Sequence, residues 1–233
     1  MEIMTNYKTL SRYYDVLMWN DHTDIYVKLI REFSGKSNDK QKLLDLWCGT
    51  WSLLKAIWSE YETYGIDLSG EIIEIAKDKD KQWKYMTGSI LEFHLAQKFD
   101  IITCCFDTIN HLDSKEKWRQ AFRNIKNHLG ESGVFLFDIN TLEKFKHIHE
   151  RNIVKHIGDD YAIIENISEW SNCTFFISIF MLQQHWNYKL YREEIREITF
   201  TKEEVISMLK GEFNSVEIVL NKNDRRLFFA CSF

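Results

Sequence analysis

The sequence contains no proline at all and only nine glycines in 233 residues, against eight tryptophans. Average usage of about 5% would give roughly a dozen prolines. The abundance of lysine, isoleucine, asparagine and glutamate indicates an AT-rich gene, which accounts for part of the missing proline. It does not account for tryptophan being nearly as frequent as glycine.

Features of exported and membrane-spanning chains are also missing. Residues 1–6 lack a basic segment followed by an apolar core, so no signal peptide is predicted. The longest apolar run, residues 175–182, is too short to cross a bilayer and is interrupted by Ser178. The five cysteines are an odd number without a C-x-x-C pair. Reduced thiols and a cytoplasmic location are therefore expected, and no membrane partner.

No excess of basic charge is present either. The formal net charge is -5, 45% of residues are hydrophobic and 28% are charged. These are ordinary values for a globular chain, and they disfavour a protein that wraps nucleic acid. The length suits one α/β domain, which we place at residues 1–233.

Short apolar runs alternate with amphipathic helical patterns over the first two-thirds of the chain. Such alternation predicts a mostly parallel sheet with helices on both faces. The predicted strands are residues 42–46, 62–68, 83–86, 99–106 and 134–139. The predicted helices are residues 24–33, 52–58, 71–76 and a stripe from Trp118 to Leu129 that Ser114 caps and Gly130 stops.

The pattern changes at about residue 150. Residues 150–200 contain four β-like segments without helices between them, which predicts an inserted antiparallel layer. Residues 201–204 form a capping box ahead of a helix that ends at Gly211. Two final strands around the polar residues 221–224 predict a C-terminal antiparallel hairpin.

The turn at residues 45–51 (DLWCGTW) leaves the first predicted strand and enters a helix. Such a turn is the usual ligand site of parallel sheets, and its backbone amides favour anionic or nucleotide-like groups. Asp67 ends the second strand, 22 residues after Asp45, where a carboxylate can bind both hydroxyls of a ribose. The alternative is that Asp67 only caps the helix that follows Ser69.

Several motifs in order resemble those of class I S-adenosylmethionine-dependent methyltransferases. Residues 43–51 (LLDLWCGTW) resemble their cofactor loop, L-D-x-G-C-G-T-G, and residues 64–69 (YGIDLS) resemble their second-strand motif. Residues 99–102, 106–112 and 133–138 resemble their fourth strand, the loop after it and the fifth strand. Residues 13–18 resemble the N-terminal cap of small bacterial members, so residues 1–36 are expected to form a helical cap segment.

The resemblance implies a seven-stranded Rossmann-like sheet, S-adenosylmethionine as cofactor, and methyl transfer to an acceptor that we expect to be a small molecule. A monomer or homodimer is expected. The residues implied at the cofactor are Tyr14, Asp45, Trp47, Cys48, Gly49, Thr50, Asp67, Leu68, Gly88, Ser89, Ile90, Cys105 and Phe106. Ser89 departs from the family, which has an acidic residue near the adenine amino group.

Trp47 and Trp51 stand where the family has loop glycines. Glycine is needed where backbone is left-handed or approaches a ligand closely, so an indole there would overpack the site. One interpretation is a non-catalytic relative whose cofactor loop is plugged. Another is that a codon decoded as glycine in the source organism stands here as tryptophan, as at Trp19, Trp58 and Trp186. Trp118 differs, because it fits the apolar stripe of its helix.

Candidate catalytic residues on the acceptor side are His111, Tyr14 and Tyr191, and Asn110 and Asn140 are further acceptor-side candidates. His111 follows the fourth strand and could act as a base or only bond the backbone. His147, His149 and His156 lack convincing ligand spacing, so no metal is predicted. Cys48 and Cys104 are interpreted as core residues. A nicotinamide-dependent oxidoreductase is disfavoured, because Leu54 would occupy the last glycine of G-x-G-x-x-G.

Overall fold

The structure, a computed structural model, describes residues 13, 17, 23–35, 39–50, 52–79, 84–184 and 187–233. Tyr14, Trp19, Trp51 and Trp186 lie outside the described residues. The strands are β1 (Lys42–Leu46), β2 (Glu62–Asp67), β3 (Tyr85–Thr87), β4 (Phe99–Cys104), β5 (Leu129–Asn140), β6 (Ile153–Ile157), β7 (Asp160–Glu169), β8 (Asn172–Leu182), β9 (Tyr188–Ile198), β10 (Ser215–Lys222) and β11 (Arg226–Ser232). The helices are α1 (Thr23–Phe33), α2 (Ser52–Ile57), α3 (Gly70–Lys79), α4 (Lys115–His128), α5 (Leu142–Ile148) and α6 (Lys202–Lys210), with a 3₁₀ turn at Thr108–His111.

The described strands form a seven-stranded sheet in the order β10-β11-β5-β4-β1-β2-β3 and a four-stranded sheet in the order β6-β7-β8-β9. β1 to β5 are parallel to one another, whereas β11 runs antiparallel between β5 and β10. The carboxyl ends of β1, β2, β4 and β5 therefore meet at one edge. The predicted parallel sheet with a C-terminal hairpin is confirmed, and so is the antiparallel layer.

The core lies on both faces of the larger sheet. Leu43 and Leu44 are fully buried on β1, because a parallel strand covered by helices faces apolar side chains on both sides. On α4, Trp118, Phe122 and Ile125 carry the predicted stripe into this core. The rings of Phe137 and Phe229 stack across β5 and β11 at 5.0 Å. This packing holds the strand ends that carry the polar residues described below.

Three predictions about local structure need correction or extension. Gly130 does not stop a helix by left-handed capping: α4 ends at His128, two residues before Gly130, and Gly130 lies in β5. A side chain at Gly130 would come within 3.3 Å of the Phe99 carbonyl, so close strand packing explains the glycine. Helix α5, capped by Thr141, was not predicted. The capping box at Thr201 and Glu204 is confirmed.

One face of the four-stranded sheet packs against Leu17. Leu17 is buried against Ala162, Ile177 and Ile179, with Tyr191 at the margin of this cluster. All five cysteines are buried and free, and burial raises the pKa of the Cys48 and Cys104 thiols, as expected for core residues. Among the described helices, none is both long and apolar enough to cross a membrane.

Candidate active site

The loop after β1 is held against the end of β2 by its own backbone. The amide of Cys48 donates to the carbonyl of Ile66 at 3.0 Å, and the amide of Gly49 donates to Oδ2 of Asp67 at 3.0 Å. Trp47 has φ 55° and Gly49 has φ 58°, so two residues of this turn are in left-handed backbone. The loop is thus a tight turn that brings its backbone beside Asp67.

Asp67 is positioned as predicted, at the end of β2 beside this loop. Its side chain accepts hydrogen bonds from the amides of Gly49 and Ser69, both at 3.0 Å. The cap of α3 is instead Ser69, whose hydroxyl accepts from the amide of Ile72. A carboxylate has about four acceptor positions, so two bonds leave capacity for hydroxyl groups of a ligand. Burial raises the pKa of Asp67.

Asp45 ends β1 and is only 3% exposed. The hydroxyl of Thr103 on β4 donates to its Oδ1 at 2.7 Å. Burial raises the pKa of Asp45 to about 7, with a smaller opposing effect from the Thr103 hydrogen bond and a further increase from the charge of Asp67. Neither Asp45 nor Asp67 forms an ion pair with a described lysine or arginine.

The side chain of Trp47 fills the space in front of the loop. Its ring centroid lies 5.2 Å from that of His111, which follows β4 in the 3₁₀ turn. Its Nε1–H is buried without a hydrogen-bond partner. Such an unsatisfied donor costs on the order of 1–3 kcal/mol, in addition to the cost of left-handed backbone. Residue 47 therefore carries a side chain that its surroundings do not accommodate.

A cavity of about 30 Å³ remains at this edge of the sheet. Small-molecule sites commonly have volumes of roughly 300–1,000 Å³. The cavity is lined by residues from the loop after β1, from α2 and from the end of β4, namely Asp45, Trp47, Cys48, Gly49, Thr50, Leu53, Cys105 and Phe106. All of these residues except Leu53, the second residue of α2, were predicted to lie at the cofactor.

The other predicted cofactor residues lie around Asp67 rather than in the cavity. Leu68 is 57% exposed, and the amide of Gly88 donates to the carbonyl of Asp67 at 2.8 Å. The hydroxyl of Ser89 accepts from the amide of Leu91 and so is used in a local turn. Ile90 is buried in the main core. These contacts place residues 88–90 beside β2 and give Ile90 a packing role.

His111 lies between the loop after β1 and the four-stranded sheet. Its ring packs against that of Trp47 at an interplanar angle of 40°, and its side chain forms a hydrogen bond with the backbone of Arg196 on β9. Burial lowers the pKa of His111, an effect that the nearby charge of Asp107 opposes. Tyr191 is not brought beside His111 by any described contact; it packs in the cluster around Ile179, with Lys189 over its ring. Tyr14 lies outside the described residues.

A buried polar network that the sequence did not reveal lies next to the cavity. Arg226 at the start of β11 donates to Asp138 on β5 at 2.8 Å and to Asp107 at 2.7 Å. Tyr26 on α1 donates to Asp138 at 2.6 Å and accepts from the amide of Phe106 at 3.0 Å. The network thereby fixes Phe106 and Asp107, both in left-handed backbone, and Phe106 lines the cavity.

The same network reaches the four-stranded sheet. Asn140 donates to Asp107 at 2.7 Å and to Glu197 on β9 at 2.9 Å. Asn110 donates to the carbonyls of Asn140 and Ile198 and accepts from the amide of Asn140. Both side chains thus join β5 to β9, and their predicted acceptor-side role stays a prediction. Burial raises the pKa of Glu197 well above its ordinary value.

An acidic residue inside an apolar run was the available sequence signal for this network. Asp138 interrupts the predicted strand 134–139, and a buried charge of that kind requires a partner. Tyr26 is one residue of the apolar stripe of the first predicted helix, and Arg226 directly precedes the last predicted strand. Nothing in the sequence connects these positions, which the fold brings together.

The match to known proteins agrees with this geometry. A family model described as a methyltransferase domain matches residues 43–133, which include the loop after β1, Asp67 and β4. Residues 43–133 form a methyltransferase domain, and the chain has the fold of class I S-adenosylmethionine-dependent methyltransferases. A putative methyltransferase of Bacillus subtilis, YqeM, is 25% identical over 88% of this chain and 85% of its own length.

Two further similarities extend this result. A dTDP-4-amino-2,3,4,6-tetradeoxy-D-glucose N,N-dimethyltransferase of Saccharopolyspora spinosa is 30% identical over 51% of this chain and 54% of its own length. The crystal structure of an S-adenosylmethionine-dependent methyltransferase from Clostridium acetobutylicum superposes with a TM-score of 0.82, at 24% identity, over 97% of this chain and 98% of that chain. The second similarity shows the fold, and its coverage of 97% of this chain extends over the four-stranded sheet.

Among the described residues of the site, all but Trp47 fit the cofactor. The turn amides, the carboxylate of Asp67 and the uncompensated Asp45 suit a group with ribose hydroxyls and positive charge. The indole of Trp47 does not fit, because it occupies the space between the loop and His111 and leaves about 30 Å³. The disagreement lies in one side chain, not in the fold of the loop.

Proposed function

We propose that this methyltransferase methylates an amine nitrogen of a small, sugar-like acceptor, and that His111 accepts the proton which that nitrogen loses. When bound, S-adenosylmethionine supplies a methyl group on positively charged sulfur. The observation that carries the proposal is the place of His111, between the loop after β1 and β9. Burial lowers its pKa and so favours the neutral imidazole, which can accept a proton near pH 7.

The charges at the cavity support this function. Asp45 and Asp67 are buried acids without a cation among the described residues, so a positively charged ligand relieves their repulsion. We propose that Asp45 binds the ammonium group of the cofactor and that Asp67 binds its ribose hydroxyls. The backbone of Gly49 and the side chains of Cys105 and Phe106 would then form the walls around it.

A small acceptor is supported by the negative net charge of the chain and by the function for which one relative is named. The net charge of -5 disfavours a polyanionic substrate. The Saccharopolyspora spinosa relative is named for N-methylation of a nucleotide-linked amino sugar, and it is 30% identical over about half of this chain. Amino sugars and their nucleotide-linked forms are therefore the first acceptors to test.

The test is a methyl-transfer assay with a panel of amino sugars, their nucleotide-linked forms and matched hydroxy sugars. Both the chain with Trp47 and the Trp47→Gly chain should be assayed, with S-adenosylhomocysteine release and product mass as readouts. With an amine acceptor, His111→Asn should lower kcat by about 10²–10⁴-fold and leave KM within a few-fold. It should also remove the low-pH limb of the kcat profile.

The matched control is His94→Asn, since His94 is an exposed histidine. It should leave kcat and the pH profile unchanged. Methylation of hydroxy sugars alone would contradict the amine acceptor. An unchanged kcat in His111→Asn would contradict the role of His111 while leaving the acceptor class intact.

The second candidate function is a methyltransferase-fold protein without catalysis, and the position of the Trp47 indole favours it. In that case the plugged cavity would keep the cofactor out and the chain would act by binding a partner. Calorimetry with S-adenosylhomocysteine separates the two: micromolar binding by the natively expressed protein excludes the plug, and no binding supports it.

A further inference from the structure

We propose that residues 47 and 170 are glycine in the protein as the cell makes it, and that glycine at 47 opens the cofactor cavity. The inference starts from a disagreement between backbone and side chain at both positions. It concerns the natural residue and not the reaction, and only its statement about the cavity rests on the proposed function.

The first position is in the loop after β1. Trp47 has φ 55° and Gly49, two residues later, has φ 58°. Left-handed backbone is routine for glycine and a genuine outlier for a bulky residue. The indole contacts the ring of His111, but its Nε1–H is buried without a hydrogen-bond partner.

The second position is remote from the cavity, in a hairpin. β7 and β8 pair up to Glu169 and Asn172, which leaves Trp170 and Ser171 as a two-residue turn. Trp170 has φ 50° and is 93% exposed, so its side chain has neither a favourable backbone nor a packing role. Two-residue hairpin turns take glycine, asparagine or aspartate at positions of positive φ.

The neighbouring hairpin supplies an internal comparison. β6 and β7 pair up to Ile157 and Asp160, so Gly158 and Asp159 form a two-residue turn of the same length. Gly158 has φ 63° and holds the position that Trp170 holds in the next turn. The same backbone requirement is therefore met by glycine in one hairpin and by tryptophan in the other.

Not every tryptophan shows this conflict. Trp118 has helical backbone in α4, is fully buried, and donates from Nε1 to the carbonyl of Leu112 at 2.9 Å. The conflict between backbone and side chain is thus confined to particular positions. This pattern is expected if two different codons encode the positions written as tryptophan, one decoded as tryptophan and one as glycine in the source organism. Nine glycines against eight tryptophans in the whole chain agree with it.

Peptide mass spectrometry of the protein purified from its native source tests the proposal directly. Peptides that cover residues 47 and 170 should have the mass of glycine at each position, and the peptide that covers Trp118 should have the mass of tryptophan. Tryptophan at 47 or at 170 would overturn the proposal for that position, whatever the enzymatic activity.

A recombinant series tests the consequence for the cavity. Trp47→Gly should change S-adenosylhomocysteine from no detectable binding to micromolar binding, whereas Trp170→Gly should raise Tm without creating binding. Trp118→Gly should lower Tm strongly. If the native peptide shows glycine at 47 but the Trp47→Gly chain binds no S-adenosylhomocysteine, the residue assignment stands and the open cofactor cavity is refuted.

Discussion

Two pairs of buried acids lie within one edge of the same sheet, and they are neutralised differently. Asp107 and Asp138 share Arg226, at 2.7 and 2.8 Å, in a pocket closed by Tyr26. Asp45 and Asp67 have hydrogen bonds from hydroxyl and amide groups but no ion pair with a described cation. The first pair is complete within the chain, whereas the second is left for a ligand that brings positive charge.

The pKa shifts follow this difference in part. At the network, the positive charge of Arg226 opposes burial and holds the pKa of Asp107 below its ordinary value, whereas burial still raises the pKa of Asp138 to about 6. At the cavity, nothing opposes burial strongly enough, and the pKa of Asp45 is about 7. A structural charge cluster and a ligand site can thus be told apart by whether the counter-charge belongs to the protein.

The largest effect is expected from removing the shared cation. Arg226→Met should leave the buried Asp107 and Asp138 without a counter-charge and lower the free energy of unfolding by about 3–5 kcal/mol. Urea denaturation measures this loss. The neighbouring Arg225→Met, at an exposed position, should change it by no more than about 0.5 kcal/mol. Equal effects of the two variants would show that the network is not the difference between the sites.

A smaller effect of opposite sign is expected at Asp45. Because its folded pKa is raised, ionisation of Asp45 costs stability, and that cost grows as the pH rises from about 4 through about 7. Asp45→Asn should therefore increase the free energy of unfolding at pH 8 by on the order of 1–3 kcal/mol. In the Trp47→Gly chain, Asp45→Asn should also lower the affinity for S-adenosylhomocysteine at least tenfold. Asp78→Asn, at an exposed position, should change neither stability nor affinity.

The smallest effect is a shift in pH dependence. Binding of an ammonium group requires ionised Asp45, so S-adenosylhomocysteine affinity of the Trp47→Gly chain should fall as the pH drops below about 7. Thr103→Val removes a hydrogen bond that lowers this pKa and should move the midpoint up by roughly half a unit to one unit. Titration calorimetry across pH 5.5–8 measures it. A midpoint that Thr63→Val shifts equally would point to general loosening of the sheet.

The sequence predicted the part of this molecule that depends on local pattern. Strand-helix alternation sufficed for the parallel sheet, and the spacing of Asp45 to Asp67 placed both acids at one edge because β1 and β2 are parallel neighbours. The left-handed backbone at Trp47 could also be expected, since the motif specifies glycine at this position. The cofactor residues remain predictions until a ligand is bound.

The network could not be predicted, because its members belong to four separate segments. Tyr26, Asp107, Asp138 and Arg226 meet only after α1 packs on the sheet and β11 inserts beside β5. The structural role of Asn110 and Asn140 was missed for the same reason. Each follows a strand at the correct edge, but its amide is used by a long-range partner that the local sequence does not reveal.

The contact between Tyr26 and Arg226 joins residues 200 positions apart, and both hold the segment at Phe106. During synthesis, α1 leaves the ribosome long before β11 does. Because residues from both ends of the chain hold this segment, we expect a chain that stops before Arg226 to keep the loop after β1 but to lack the contacts that hold the cavity wall at Phe106.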